Sequence, residues 1–82
     1  MTTDRGIHEQ ISDLVTREHE LRAQLQAHEI EPAEERARLR ELEVQLDQAW
    51  DLLRQRQALR ESGGDPASAS VRPANEVEGY LG

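Results

Sequence analysis

Apolar residues recur every three or four positions in two long stretches of the chain, and a proline separates the two stretches. The first stretch carries Ile7, Ile11, Leu14, Leu21 and Leu25, with Glu18 filling its one gap. The second stretch carries Leu39, Leu42, Leu46, Ala49 and Leu53. This spacing places the apolar side chains along one side of an α-helix. The pattern therefore predicts two amphipathic helices, over residues 4–29 and 32–62.

Proline and glycine residues mark the boundaries of the second helix. Pro32 disfavours helical backbone at the residue before it and suits the first position of a new helix. Gly63 and Gly64 supply the signal for its end. Because few residues join the two helices, they are expected to pack side by side in opposite directions. We expect an all-α fold in which residues 4–62 form an antiparallel, coiled-coil-like two-helix hairpin.

The last twenty residues, GGDPASASVRPANEVEGYLG, have a different composition. Small and turn-forming residues dominate this segment as far as Asn75, which is typical of irregular structure. A short apolar cluster of Val77, Tyr80 and Leu81 closes it. Residues 63–82 are therefore predicted to form a mostly irregular C-terminal tail that is flexible or docked on the hairpin.

The apolar surface of the second helix widens around Trp50, the only tryptophan of the chain. Trp50 follows Ala49 and lies on one shoulder of the apolar stripe, whereas Leu52 and Leu59 lie on the opposite shoulder. A two-helix hairpin covers only a narrow stripe on each helix, so the wider half needs a further covering. Either the tail folds back over it, or a second hairpin docks there to give a four-helix bundle. The small size of a lone hairpin core favours the dimer, and a different partner protein is a third possibility.

Charge and composition narrow the classes of partner. The chain of 82 residues is 33% charged and has a formal net charge of −7. An acidic chain is a poor ligand for nucleic acid or for an anionic membrane surface. No apolar run approaches the roughly 20 residues that span a bilayer, and the N-terminus lacks the apolar core of a signal peptide. We therefore expect a cytoplasmic protein that binds neither nucleic acid nor membranes.

The sequence offers no convincing metal or calcium site. The chain lacks cysteine, and His8, His19 and His28 lie too far apart along the chain to form a pair of ligands three or four residues apart on one helix. Residues 65–76, DPASASVRPANE, begin and end with an acid as a calcium-binding loop does. They lack the internal oxygen ligands and the central glycine that such a loop requires. No metal and no cofactor are expected.

No set of residues predicts catalysis either. Asp47 and Asp51 share one face of the second helix, but nothing in the pattern encloses them. We interpret both carboxylates as part of a solvent-exposed face. The sequence also lacks a glycine-rich phosphate loop and an aromatic platform for bases. No catalytic residue is therefore assigned.

Three runs of sequence together resemble a known family. These are LRELEVQLDQAWDLLRQRQALRE, the GGDP that follows, and the closing VRPANEVEGY. They resemble a small actinobacterial family known as domain of unknown function 2630. The resemblance implies a short helical cytoplasmic protein with no assigned activity, and it supplies no catalytic residues. It also implies that the end of the tail belongs to the motifs of the family, so that Val77 and Tyr80 are expected to dock on another surface.

Taken together, the pattern predicts a helical module for protein–protein interaction, either as a homo-oligomer or with a protein partner. The predicted interaction surface consists of the large apolar residues outside the narrow stripe, one stripe leucine and the apolar end of the tail: Trp50, Leu52, Leu53, Leu59, Val77, Tyr80 and Leu81. The alternatives are an ion- or ligand-binding helical protein, for example one that binds calcium, and more remotely a small helical enzyme.

Overall fold

The computed structural model describes residues 3–75 and residue 77. Two α-helices, α1 (Asp4–Gln26) and α2 (Pro32–Glu61), are followed by a short 3₁₀ helix over Pro66–Ser68. The described residues include no β-strand. The two helices pack against each other in opposite directions, which confirms the predicted all-α hairpin. Dimerisation into a four-helix bundle stays a prediction.

Helix α1 begins with a side-chain cap and ends earlier than predicted. Thr3 is the N-cap, and its hydroxyl oxygen accepts a hydrogen bond of 3.0 Å from the Gly6 N–H. At the other end the helix stops at Gln26, not at the predicted residue 29. His28 adopts a left-handed conformation with φ of 60°. The Glu29 N–H then donates to the Gln24 carbonyl (2.9 Å), which closes a Schellman motif.

Helix α2 ends in the same motif, but with glycine in the left-handed position. Gly63 has φ of 81°. The Gly64 N–H donates to the Leu59 carbonyl at 2.7 Å, and the Gly63 N–H donates to the Arg60 carbonyl at 3.2 Å. Glycine adopts this conformation without a steric penalty. The chain can therefore leave α2 sharply and turn back along it.

Two apolar clusters form the interface between the helices. The first lies towards the open end of the hairpin and consists of Ile7, Ile11, Ala49 and Leu52. The second lies closer to the turn and consists of Leu14, Leu21 and Leu42, with Ile30 and Leu46 packed against it. The pairing of early α1 residues with late α2 residues sets the antiparallel register. Neither helix contains, among the described residues, an apolar stretch long enough to cross a membrane.

Leu52 lies in this core and not on a free surface, which corrects its predicted placement. Only 6% of the residue is exposed, and it packs with Ile7 and Ile11. Leu53 is half-buried against the same cluster. Ala69 of the tail packs there as well. Leu52 is therefore covered by α1 and, in part, by the tail of the same chain.

Candidate functional site

The tail runs along α2 from its C-terminal end back towards the hairpin turn. Three carbonyl groups of the tail accept hydrogen bonds from α2 side chains. Arg56 Nη1 donates to the Pro66 carbonyl (3.1 Å), and Gln55 Nε2 donates to the Ser70 carbonyl (2.9 Å). Further along, Gln48 Nε2 donates to the Arg72 carbonyl (3.2 Å). The tail is thus attached to α2 over about two helical turns.

Asp51 and Arg72 form the most enclosed contact between the tail and α2, which we call the tail clamp. Arg72 Nε donates to Asp51 Oδ2 at 2.8 Å, and Arg72 Nη2 donates to the other carboxylate oxygen. The Asp51 side chain is only 3% exposed, whereas that of Arg72 is 38% exposed. Gln55 Nε2 donates a further hydrogen bond to Asp51 Oδ2 at 2.8 Å. The interpretation of Asp51 as a solvent-exposed carboxylate is therefore wrong, because the tail arginine covers it.

The clamp holds Asp51 in its ionised form. The hydrogen bond from Arg72 lowers the pKa of Asp51 below its usual value, burial works in the opposite direction, and the Gln55 hydrogen bond adds to the lowering. Hydrogen bonds between two charged groups in a forked, two-point geometry are among the stronger ones in proteins. Asp51 and Arg72 therefore form a charge-assisted pair at neutral pH.

A second ionic contact joins the base of the tail to the start of α1. Arg56 Nε donates to Asp4 Oδ1 at 2.6 Å, while the same guanidinium reaches the Pro66 carbonyl. Arg60 Nη2 donates to Asp4 Oδ2 at 2.5 Å. Hydrogen bonds from Arg60 and then Arg56 lower the pKa of Asp4. The buried Arg56 thereby connects α1, α2 and the tail at the open end of the hairpin.

Trp50 lies on the other shoulder of α2, away from the contacts that the described tail residues, 63–75 and 77, make with α2. At 100° per residue, Trp50 points well away from the face that carries Gln48, Asp51 and Gln55. The residue is 43% exposed. Its ring meets the His8 ring edge-on, with centroids 6.2 Å apart and an interplanar angle of 80°. Val15, seven residues after His8 and therefore on the same side of α1, is also exposed.

The residues predicted to form one interaction surface are thus divided between two places. Leu59 is half-buried under the start of the tail, where a Cβ on Gly64 would lie 3.1 Å from Leu59 Cδ2. Val77 is buried, in a helical turn in which its N–H donates to the Pro73 carbonyl at 3.2 Å. Tyr80 and Leu81 lie outside the described residues.

The polar groups that attach the tail were not predicted from the sequence. Gln48 and Gln55 are seven residues apart, which places them on one face of α2. Arg72 is the only basic residue in the segment 63–82. A lone arginine in an otherwise small-residue tail was the available signal for a specific acidic partner. Among the described residues, no group of three or more histidine, aspartate or glutamate side chains lies close enough to hold a metal ion.

Comparison with known proteins places the chain among uncharacterised relatives. A family model described as "Protein of unknown function (DUF2630)" matches residues 3–82. An uncharacterised protein of Mycobacterium tuberculosis is 56% identical over 80 residues, which cover 98% of this chain and 92% of the relative. An uncharacterised protein of Mycobacterium bovis matches with the same identity and the same coverage. No solved structure matches the chain.

Proposed function

We propose that this chain, which belongs to the family described as "Protein of unknown function (DUF2630)", acts as a protein–protein interaction module and not as an enzyme. The observation that carries the proposal is the exposure of Trp50 on a shoulder of the hairpin. The tail packs on the opposite shoulder, which carries Leu52. It does so although Trp50 has a larger apolar side chain than Leu52. Within the part of the chain that the structure describes, the shoulder that carries Trp50 is therefore the part of the hairpin best suited to a partner.

The neighbours of Trp50 make this shoulder an apolar surface on which a helix can pack. Leu46 and Leu53 lie four residues before and three residues after Trp50, so all three share one side of α2. Both leucines are half-buried. On α1, the His8 ring contacts Trp50, and the exposed Val15 lies on the same side of that helix as His8. We call this set, Leu46, Trp50, Leu53, His8 and Val15, the tryptophan shoulder.

Tryptophan is among the residues that most often contribute a large share of binding energy at protein interfaces. Its ring offers a large apolar area, and its N–H can keep a polar partner at the edge of the contact. A partner that lays an apolar helix face along the tryptophan shoulder would bury both the ring and the adjoining leucines. A second copy of the hairpin would do so as a four-helix bundle, and a different helical protein would do so as a mixed complex.

The test is light scattering over a dilution series for the wild-type chain, for W50A and for the control variant V71A. Val71 is 61% exposed but belongs to the tail, away from the tryptophan shoulder. We expect the wild type to associate as concentration rises, and W50A to weaken this association at least about tenfold because a central tryptophan is removed. V71A should behave as the wild type does.

Fluorescence of the single tryptophan gives an independent readout in the same samples. Shielding of Trp50 by a partner should shift its emission to shorter wavelength as the mass increases. If W50A and V71A associate equally well, the tryptophan shoulder is not the interface and the proposal fails. A wild-type emission that stays unchanged while the mass rises would also contradict it.

A further inference from the structure

The face of α2 under the tail has the features of a peptide-binding groove. Gln48 and Gln55 donate to the carbonyls of residues 72 and 70, which lie two residues apart in a non-helical stretch that begins with the extended Ala69. Between these two amides, the Asp51 carboxylate receives a guanidinium. We call Gln48, Asp51, Leu52 and Gln55 the tail groove. This surface is distinct from the tryptophan shoulder, so a ligand of the tail groove does not depend on the proposed function.

The contacts define which features of a bound segment the tail groove recognises. Hydrogen bonds to backbone carbonyls are independent of sequence, so Gln48 and Gln55 require only an extended backbone at those positions. Asp51 selects the side chain, because two parallel hydrogen bonds to a carboxylate fit arginine better than lysine. Three residues before the arginine, Ala69 packs against the core cluster that includes Leu52. Val71, which lies between residues 70 and 72, is 61% exposed, so this position is not selected.

We propose that the tail groove is a binding site for an extended, arginine-bearing segment of a partner protein, and that the chain's own tail fills this site at rest. The charge complementarity at Asp51 identifies the partner chemistry. A carboxylate that is 3% exposed and already hydrogen-bonded by Gln55 needs a cation to stay buried. A segment with a small residue three positions before an arginine matches what the groove holds.

The attachment of the tail is compatible with exchange. Another segment can make the same hydrogen bonds and the same ion pair to α2, and a small residue in place of Ala69 can make the same contact with the core cluster. The Gly63–Gly64 pair, with its left-handed φ at Gly63, ends α2 and turns the chain back along it, so the tail leaves the helix through a short, separate segment. The tail has the advantage of a high effective concentration because it is covalently joined to the groove. A partner segment therefore competes with the tail and does not enter an empty site.

The experiment uses the full-length R72A variant, which keeps the tail but lacks its arginine. The probe is a fluorescent peptide with the sequence of residues 66–77, PASASVRPANEV, compared with the same peptide carrying alanine in place of its arginine. We expect R72A to bind the arginine peptide at least about tenfold more tightly than the alanine peptide, as the loss of charged hydrogen bonds implies. The wild-type chain should bind the arginine peptide more weakly than R72A does, since its own tail competes.

The controls separate specific recognition from adhesion and from misfolding. In the double variant D51N/R72A, the preference for the arginine peptide should disappear. If R72A fails to give a cooperative melt, R72K replaces it under the same criteria, because lysine keeps the charge but loses the two-point geometry. Equal binding of the two peptides overturns the proposal. Absence of binding by R72A up to about millimolar peptide, the range of effective concentration that the tail itself has, overturns it as well.

Discussion

Removal of the tail arginine is the perturbation that tests the folded structure most sharply. The R72A variant leaves the Asp51 carboxylate in a site where its side chain is 3% exposed, with Gln55 as a remaining hydrogen-bond donor. Breaking a buried ion pair by removing one partner typically costs about 3–5 kcal/mol. The Arg72 side chain is itself 38% exposed, so water reaches the carboxylate once the guanidinium is gone. This lowers the expected cost.

The tail sets an upper limit to that cost. If the buried carboxylate becomes too unfavourable, the tail can leave α2 and expose Asp51 to solvent, so the loss cannot exceed the free energy with which the tail docks. We therefore expect R72A to lower the free energy of unfolding by about 1–3 kcal/mol. For a domain of this size, that corresponds to a decrease in Tm of roughly 4–24 °C.

The variant D51N should cost less than R72A. Asparagine keeps the shape of the side chain, and Arg72 can turn its charge to water when the carboxylate is absent. The expected loss is about 0.5–1.5 kcal/mol, near the value of ordinary hydrogen bonds. Because the unpaired buried charge is what makes R72A costly, the double variant D51N/R72A should be more stable than R72A alone.

Urea unfolding followed by circular dichroism measures these differences. The control is R38A, since Arg38 pairs with Glu34 at 2.6 Å on an exposed helix face and should contribute at most about 0.5 kcal/mol. If the double variant D51N/R72A loses the sum of the two single losses, the unpaired buried charge is not what makes R72A costly. If R72A and R38A have equal effects, the contact between Asp51 and Arg72 contributes no more than an exposed ion pair does.

Three further predictions concern other parts of the chain. Arginine partners lower the pKa values of Asp51 and Asp4 in the folded chain. The stability that the two ionised aspartates add is therefore fully present above the usual aspartate pKa of about 3.9. It is lost as the pH falls through the lowered pKa values. The urea midpoint should therefore fall on acidification below about pH 4, and less steeply in D51N. L52A should lower the free energy of unfolding by about 2–5 kcal/mol, as a core truncation does. W50A should lower the free energy of unfolding of the monomer clearly less, because Trp50 is half exposed. Urea titrations of dilute samples measure both losses, and a larger loss in W50A would contradict the placement of the two residues. H28G should stabilise the chain by roughly 1 kcal/mol, since His28 holds a left-handed conformation that penalises a side chain; an unchanged or lower Tm would show that His28 makes compensating contacts.

The spacing of apolar residues was enough to predict the hairpin. The three-four repeat predicts which faces of α1 and α2 meet, and Pro32 predicts where the second helix begins. The spacing also indicates that Trp50 lies on a shoulder of the stripe, since its position relative to Ala49 is fixed by helix geometry. These features depend on local rules, which is why the sequence alone reveals them.

The structure differs from the prediction in two kinds of place. In one, residues far apart in the sequence come into contact; in the other, a residue that is not glycine adopts a conformation typical of glycine. The end of α1 was placed too late because no glycine marks it. The left-handed position after the helix, which glycine usually occupies, is occupied by His28. Asp51 was interpreted as solvent-exposed because its partner, Arg72, lies 21 residues away in a segment without helical periodicity. Leu52 was assigned to the interaction surface, but it packs with Ile7 and Ile11 of α1, and Ala69 from the tail packs against the same cluster. Periodicity describes the faces of a helix and not what a non-helical segment places on them.

Attachment of the tail to α2 of its own chain by Asp51 is best measured as the hydrogen-exchange rate of the Arg72 Nε–H, by nuclear magnetic resonance in a dilute sample at neutral pH. We expect the Arg72 Nε–H to exchange slowly in the wild type and fast in D51N. An Arg72 Nε–H that exchanges equally fast in both would contradict the clamp.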